Sequence, residues 1–400
     1  MRFNKRVDEM YLTKEEEKML DGEYGEGYEK AMRILVVLGD IYGAERMIPI
    51  SSSQISGISY KSIGDAGLEF LEDFANSGVK VKVTATMNPA GMDLEDWQKM
   101  GVSKEFAEKQ IRIVNALKRI GVVPIPSCTP YFHGFYPRFG EHVAWAESSA
   151  VIFVNSVIGA RTNREGGPSA LAAAITGRTP YYGLHIPENR YPNVEFKINF
   201  EPRGRYEFSL IGYYIGMKMR KGIPFITGLK SATIEELRSM GAGMASSGSI
   251  ALYHVEKITP EANNVPRPKE RIEIEKNDLE EVIQKLNTSG TDIIDLVAFG
   301  CPHLNLKEVL DLYAYFKESP PKTKVWICTS SVVKSYLKSK GITDELEKMN
   351  VLVLADTCMV VAPLEQVGVH TIGLDSTKAA HYTNSLTNIK VKLAEGGKLI

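Results

Sequence analysis

"DIIDLVAFGCPHLNLKEVLDLYAYF", residues 292–316, decides how this chain is read. Its first eight residues form an apolar run of strand length, "NLKEVLDLYAYF" repeats apolar residues at helical spacing, and a glycine, a cysteine and a proline lie between them. A strand without a polar face, followed directly by a helix, belongs in a parallel sheet covered on both sides. Outward from this stretch the pattern recurs. "KVWIC" (324–328), "VLVLA" (351–355) and "HTIGL" (370–374) read as strands, while "NDLEEVIQKLN" and "SVVKSYLKSKG" read as helices. Strands alternating with helices predict crossover connections. Right-handed crossovers put every strand-to-helix loop on one edge of the sheet. Those loops are "GCPHLN", "TSS" and "DTCMVVAP", so Cys301, Cys328 and Cys358 fall near the carboxyl edge, where open α/β folds bind ligands.

The rest of the composition is that of an ordinary globular protein. The chain has 400 residues, 44% of them hydrophobic and 24% charged, which suffices for more than one core. A formal net charge of −1 supplies no basic field for nucleic acid or an anionic membrane, so neither is expected as a partner. The opening "MRFNKRVDEMYLTKEEEKML" lacks an apolar signal core and no apolar run reaches membrane-spanning length, which points to the cytoplasm. Four cysteines far apart in sequence are no disulfide framework in a reducing compartment.

The first half is less regular. "LTKEEEKML" opens with a capping box of Thr13 and Glu16, and the helical pattern resumes after Gly25 and runs to about Gly43. "MIPISSSQISGISYKSIGDAG" is too rich in Ser and Gly to predict regular structure, and "VKVKVTATMNPAGMD" predicts an alternating strand that runs into a turn. "SKEFAEKQIRIVNALKRIG" predicts a helix stopped by Gly121, and the short strand in "VVPIPSCTPY" leads to Cys128. The polar, proline-bearing stretch 256–276 predicts a boundary or a long surface connection between sub-lobes at about 1–270 and 271–400.

Two constellations suggest chemistry. Cys328, inside "VWIC", reads as a small buried hydrophobe. Cys128, Cys301 and Cys358 instead lie in loops beside Pro, Thr or Asp. Three thiolates from separate loops suit an iron-sulfur cluster with one iron lacking a protein ligand, with zinc as the competing metal. The second constellation is "GARTNREGGPSALAAAITGRTPYYG", in which Pro168 and Gly177 bracket a small-residue helix and put "TNREGG" at its N-terminus. Such an end suits an anion, with Arg161 and Arg164 as a clamp and Asn163 and Glu165 placing a hydroxyl; the bland alternative is a capped helix with solvent-facing arginines. "GAGMASSGSIALYH" has the look of a phosphate cradle without its lysine, and His133, His142 and His303 read as structural histidines.

Taken in order, "SSQISGISYKSIGDAG", "TATMNPAGMD", "SCTPY", "GARTNREGGPSALAAAITGRTPYYGLH", "GMASSGSIALYHVE", "AFGCPHLN" and "DTCMVV" resemble the aconitase X family over nearly the whole chain. The resemblance implies an aconitase-like, multi-lobed α/β core of parallel sheets and crossover helices, with a cluster site at the carboxyl edges of strands. It implies Cys128, Cys301 and Cys358 as ligands of a 4Fe-4S cluster, leaving Cys328 over. It also implies a swivelling domain that closes over the cluster and carries the base; no such domain is recognisable here, so a separate small subunit is expected. The implied activity is that of a hydro-lyase. Water leaves (R)-5-phosphomevalonate to give trans-anhydromevalonate 5-phosphate, in the archaeal mevalonate route to isoprenoids. Gln54, Ser56, Asn88, Asn163, Arg164 and Glu165 are the candidate substrate shell for that small phosphorylated hydroxy acid.

Three rivals follow. The same family includes dehydratases of cis-3-hydroxyproline. A cluster-sensing RNA binder is disfavoured by the balanced charge, because RNA affinity leans on phosphate neutralisation. A metal-free scaffold would make all four cysteines structural.

Overall fold

A computed structural model describes residues 10–400; the first nine residues of the opening stretch lie outside it. The chain forms three α/β units in succession. In the first, β1 (Met47–Pro49) pairs antiparallel with β5 (Arg178–Pro180), while β2 (Ser52–Ile55) lies between β3 (Thr84–Met87) and β4 (Ala144–Trp145) in a parallel sheet. In the second, β6 (Val194–Ile198), β7 (Pro224–Thr227), β8 (His254–Val255) and β9 (Glu270–Ile274) form a parallel sheet in the order β8-β7-β6-β9. The third is the five-stranded parallel sheet of β10 (Leu296–Leu304), β11 (Val325–Thr329), β12 (Val351–Ala355), β13 (Thr371–Leu374) and β14 (Lys390–Leu393), ordered β12-β11-β10-β13-β14. Helices between the strands bury both faces, and every residue of β11 and β13 is buried.

Several local expectations hold for the physical reasons given. Thr13 and Glu16 form the capping box of the Lys14–Leu20 helix, and Gly121 ends the Lys104–Ile120 helix in the left-handed conformation. Others change. The Ser- and Gly-rich stretch after Met47 is not irregular. It contains β1, β2 and the Tyr60–Asn76 helix, kinked at Gly64. Serine is tolerated in the central strand β2 because the Ser53 hydroxyl reaches the Ala144 and Ala170 carbonyls at 2.9 and 2.7 Å. The alternating run before Met87 is strand only over Thr84–Met87, and the polar stretch 256–276 contributes β9, paired with β6. The supposed phosphate cradle lies in and after the buried Ile234–Gly248 helix, whose Gly243 lets it press against the Gly204–Met219 helix. Among the described residues no helix is long and apolar enough to cross a membrane.

Two short bridges set up the site, one within the first unit and one joining it to the third. Met87 at the end of β3 bridges to Pro126, and Ala90 bridges to Thr357 just beyond β12. The loops after β3 and β12 are thereby held side by side.

Candidate active site

Each cysteine of interest sits at a break in regular pairing. Cys128 follows the Pro126 bridge, and the Gln54 side chain on β2 donates to the Ser127 carbonyl at 3.1 Å, fixing that loop from behind. Cys301 lies within β10 rather than in a plain loop. The pairing of β10 with β11 slips between Phe299 and Leu304, and Gly300 and Cys301 occupy the irregularity. Cys358 follows β12 through Asp356, which adopts a positive φ of 63°. Cys128 and Cys358 are buried and Cys301 is partly exposed. His303, fully buried, contacts the loops on either side: its ring is 3.2 Å from the Ser127 hydroxyl and 2.8 Å from the Thr357 carbonyl, and its N–H points at the Cys128 sulfur at 3.2 Å.

The three thiols open onto one cavity of about 240 Å³ between the first and third units. Ser56, Asn88 and Ser148 supply polar wall, and Tyr382 and the exposed Leu386 line it from the Thr377–Leu386 helix. Three charged side chains also reach it: Glu147, Arg164 and Lys378. Lys378 is buried and pairs with Glu147, which also accepts from Asn88 at 2.9 Å. Burial alone pushes the Glu147 carboxyl up, but the Lys378 charge and the hydrogen bonds outweigh it and hold the group at about 2. Burial pushes the Lys378 ammonium down, yet Glu147 dominates and keeps it above the ordinary lysine range. Arg164 forms no salt bridge among the described residues. Among the described residues its guanidinium makes only long hydrogen bonds, 3.5 Å to the Ala245 carbonyl and 3.4 Å to the Tyr382 hydroxyl. A larger hollow of about 470 Å³ at the carboxyl ends of β6 and β7 holds no cysteine and no histidine, so volume alone does not select the site.

Comparison with known proteins gives the family. Models of the first, second and third domains of aconitase X match residues 9–188, 192–284 and 294–400. The chain belongs to the aconitase X family. It is 49% identical to the phosphomevalonate dehydratase large subunit of Methanocaldococcus jannaschii, over 96% of this chain and 97% of that one. The corresponding protein of Methanothermobacter thermautotrophicus is 47% identical over 96% of both chains. The crystal structure of Thermococcus kodakaraensis aconitase X in its holo-form superposes with a TM-score of 0.90 at 44% identity, covering 98% of this chain and 99% of that one. A cis-3-hydroxy-L-proline dehydratase of Pseudomonas aeruginosa is more distant, 32% identical over 95% of this chain and 67% of its own length.

Within this aconitase X chain the six candidate shell residues separate into two groups. Ser56, Asn88 and Arg164 line the cavity. Gln54, Asn163 and Glu165 stand behind it. Gln54 braces Ser127; Asn163 donates to the Tyr182 carbonyl at 3.0 Å and accepts from the Leu184 N–H at 2.8 Å. Glu165 accepts from Ser169 at 2.6 Å and from Thr179 at 3.4 Å, and burial raises its carboxyl. The loop that reads as an anion clamp thus sends one side chain, Arg164, into the cavity. Arg161 sits instead in a backbone bridge with His142. The sequence reading missed Glu147, Lys378 and Tyr382. One signal was available for Lys378: a lysine in the first turn of a helix opposes the helix dipole and needs a reason.

Burial disfavours free thiolates at all three cysteines. Burial pushes Cys128 up to about 12 and raises Cys301 and Cys358 too, although Lys378 pulls each of them down. A bound cationic centre offsets that burial cost and deprotonates its ligands. Three thiols lining one cavity are a donor set that fits an iron-sulfur cluster.

Proposed function

We propose that this chain is the large subunit of an iron-sulfur hydro-lyase that removes water from (R)-5-phosphomevalonate, giving trans-anhydromevalonate 5-phosphate, in the cytoplasm. The observation that carries the reading is the cavity itself, lined by three thiols from separate segments and by a guanidinium that has no acidic partner among the described residues. Relatives that align over nearly their whole length and carry the phosphomevalonate dehydratase name support the substrate. Cys128, Cys301 and Cys358 would hold a 4Fe-4S cluster. When bound, that group supplies a Lewis acid for the leaving hydroxyl, a poor leaving group on its own.

The chain's own residues do the rest. Arg164 pairs with an anionic group of the substrate through charge-assisted hydrogen bonds. The Asn88 Oδ1 is buried without a partner among the described residues, and it accepts a substrate hydroxyl. Lys378 keeps its proton beside Glu147 and contributes a fixed positive field to the wall, favouring negative charge that develops during elimination. No group lining this cavity is poised as the base, and we assign that role to a small subunit carrying the swivelling domain, which also excludes water.

The test begins anaerobically with the chain alone, reconstituted with iron and sulfide, beside variants with Cys128, Cys301 or Cys358 changed to serine. Four irons in the wild type and their loss in each variant are expected; no iron, or iron that survives all three changes, overturns the ligand set. The small subunit is then added and turnover compared on 5-phosphomevalonate and cis-3-hydroxyproline. Turnover of hydroxyproline alone would move the chain to the family's other reaction.

A further inference from the structure

His303 is two residues from one cysteine loop and in contact with the other two, an arrangement the proposed function does not require. Its ring nitrogens have distinct roles. A peptide carbonyl only accepts, so the 2.8 Å contact with Thr357 requires the proton on Nε2. The neutral ring then accepts at Nδ1 from the Ser127 hydroxyl, 3.2 Å away, and that hydroxyl accepts in turn from the Thr129 N–H at 3.2 Å. Its backbone N–H adds the contact with the Cys128 sulfur at 3.2 Å. One residue thereby joins the loops of Cys128, Cys301 and Cys358.

His303 is itself held from outside the site. The buried Arg238 of the second unit donates to the His303 carbonyl at 3.1 Å. Arg238 is fixed by Glu308 at 2.6 Å, and Glu308 caps the Leu306–Glu318 helix through Asn305 and pairs with Arg205 at 3.1 Å. A buried arginine is costly unless paired, so this network marks a position whose backbone is fixed against considerable desolvation. The Thr329 hydroxyl secures the next carbonyl, that of Leu304, at 2.6 Å.

We infer that His303 is a positioning residue that locks the three cysteine loops into one unit, so that the thiols are arranged before any cofactor arrives. The inference rests on the ligand set proposed above, but the loop coupling is measurable without metal. The experiment compares wild type, His303→Ala, His303→Gln and Ser127→Ala in two arms. The first follows modification of each thiol in the reduced, cluster-free chain by a small alkylating reagent, read by peptide mass spectrometry. The second measures iron and sulfide uptake and the EPR spectrum after anaerobic reconstitution.

Removing a buried hydrogen-bonding hub frees local opening, so Cys128 and Cys358 in His303→Ala should react about tenfold faster than in wild type. Iron uptake should fall and the EPR signal broaden. Glutamine keeps an N–H donor for the Thr357 carbonyl, and His303→Gln should recover the slow reaction of Cys358 and most of the iron. A general loss of packing would not be rescued this way. If wild type takes up iron in a cysteine-dependent manner while His303→Ala matches it in thiol rates, iron and EPR, the inference is overturned and the ligand set stands. If wild type takes up no iron, the ligand set falls and the thiol arm alone decides the coupling. Should His303→Ala fail to fold, Ser127→Ala removes the Nδ1 partner, together with the hydroxyl's local contacts to Thr129 and His133, and leaves the imidazole in place. Faster reaction at Cys358 as well as at Cys128 supports the coupling, and a change confined to Cys128, or none at either thiol, refutes it.

Discussion

Lys378 occupies the first turn of the Thr377–Leu386 helix, buried and paired with Glu147. Its stability there depends on the pair, because removing one partner leaves the other charge buried alone, at a cost of about 3–5 kcal/mol. Lys378→Met and Glu147→Gln should each destabilise the cluster-free chain by about that amount, and the double variant by far less than their sum. Urea denaturation of the four proteins gives the cycle, and strictly additive losses would refute the coupling. A second residue sets a pH limit. Burial, with the charges of His142, Arg190 and Arg161 added, lowers His185 from 6.5 to about 3. Above pH 6.5 the imidazole is neutral in both folded and unfolded chains and costs nothing. Below it the unfolded chain gains a proton that the folded one refuses until about pH 3, so stability falls as pH falls through that window. The slope is about 1.4 kcal/mol per pH unit for one such group. Unfolding free energies at pH 7, 6 and 5 for wild type and His185→Asn should show the variant losing that much less per unit; parallel curves would exclude His185 as the titrating group.

Among the elements, β10 carries the decisive irregularity. Gly300 has φ of 104°, and a Cβ there would lie 2.1 Å from the Cys328 carbonyl oxygen on β11. Both the left-handed backbone and the contact exclude a side chain, and neither yields without moving the strand that presents Cys301. Gly228, beyond β7, is the internal control: φ is 92° and its Cβ would lie 2.1 Å from the Ile198 carbonyl, in a sheet that carries no cysteine. Gly300→Ala and Gly228→Ala should each cost about 3 kcal/mol or more in thermal unfolding, by strain and displacement together. Only Gly300→Ala should lower iron uptake; equal uptake by both variants would separate the bulge from the site. The sequence "FGCPH" announced a change at this place, because an apolar run meeting Gly and Pro ends as a strand or bends. It did not announce that pairing resumes at Leu304, since the partner Thr329 is supplied by a different strand. β14 was silent for the same reason: "KVKL" is a strand because it pairs with β13, not because of its own pattern.

At the scale of the molecule, the cavity is assembled from parts remote in the chain, and this sets what a sequence can disclose. The three cysteine loops were legible because glycine, proline and polar neighbours set them apart, and their order resembles a known family. Glu147 and Lys378 were not, because each looks like a residue of an ordinary helix end until the first and third units are placed together. Arg164 shows the same dependence on assembly. It comes from the first unit, and its guanidinium reaches Ala245 of the second and Tyr382 of the third at distances too long to satisfy it. A cation so placed, exposed and without an acidic partner among the described residues, is available to an anion that enters between the units. With the small subunit present, Arg164→Gln should raise KM for 5-phosphomevalonate about 10- to 100-fold, the range of one or two charge-assisted hydrogen bonds. Arg164→Lys should recover part of this, since it restores the charge without the planar fork. Iron content should be unchanged in both, because Arg164 touches no cysteine. The measurement is steady-state kinetics on protein matched for iron. Unchanged KM and kcat together would remove Arg164 from the substrate shell, whereas an unchanged KM with a large fall in kcat would place its effect in the transition state instead.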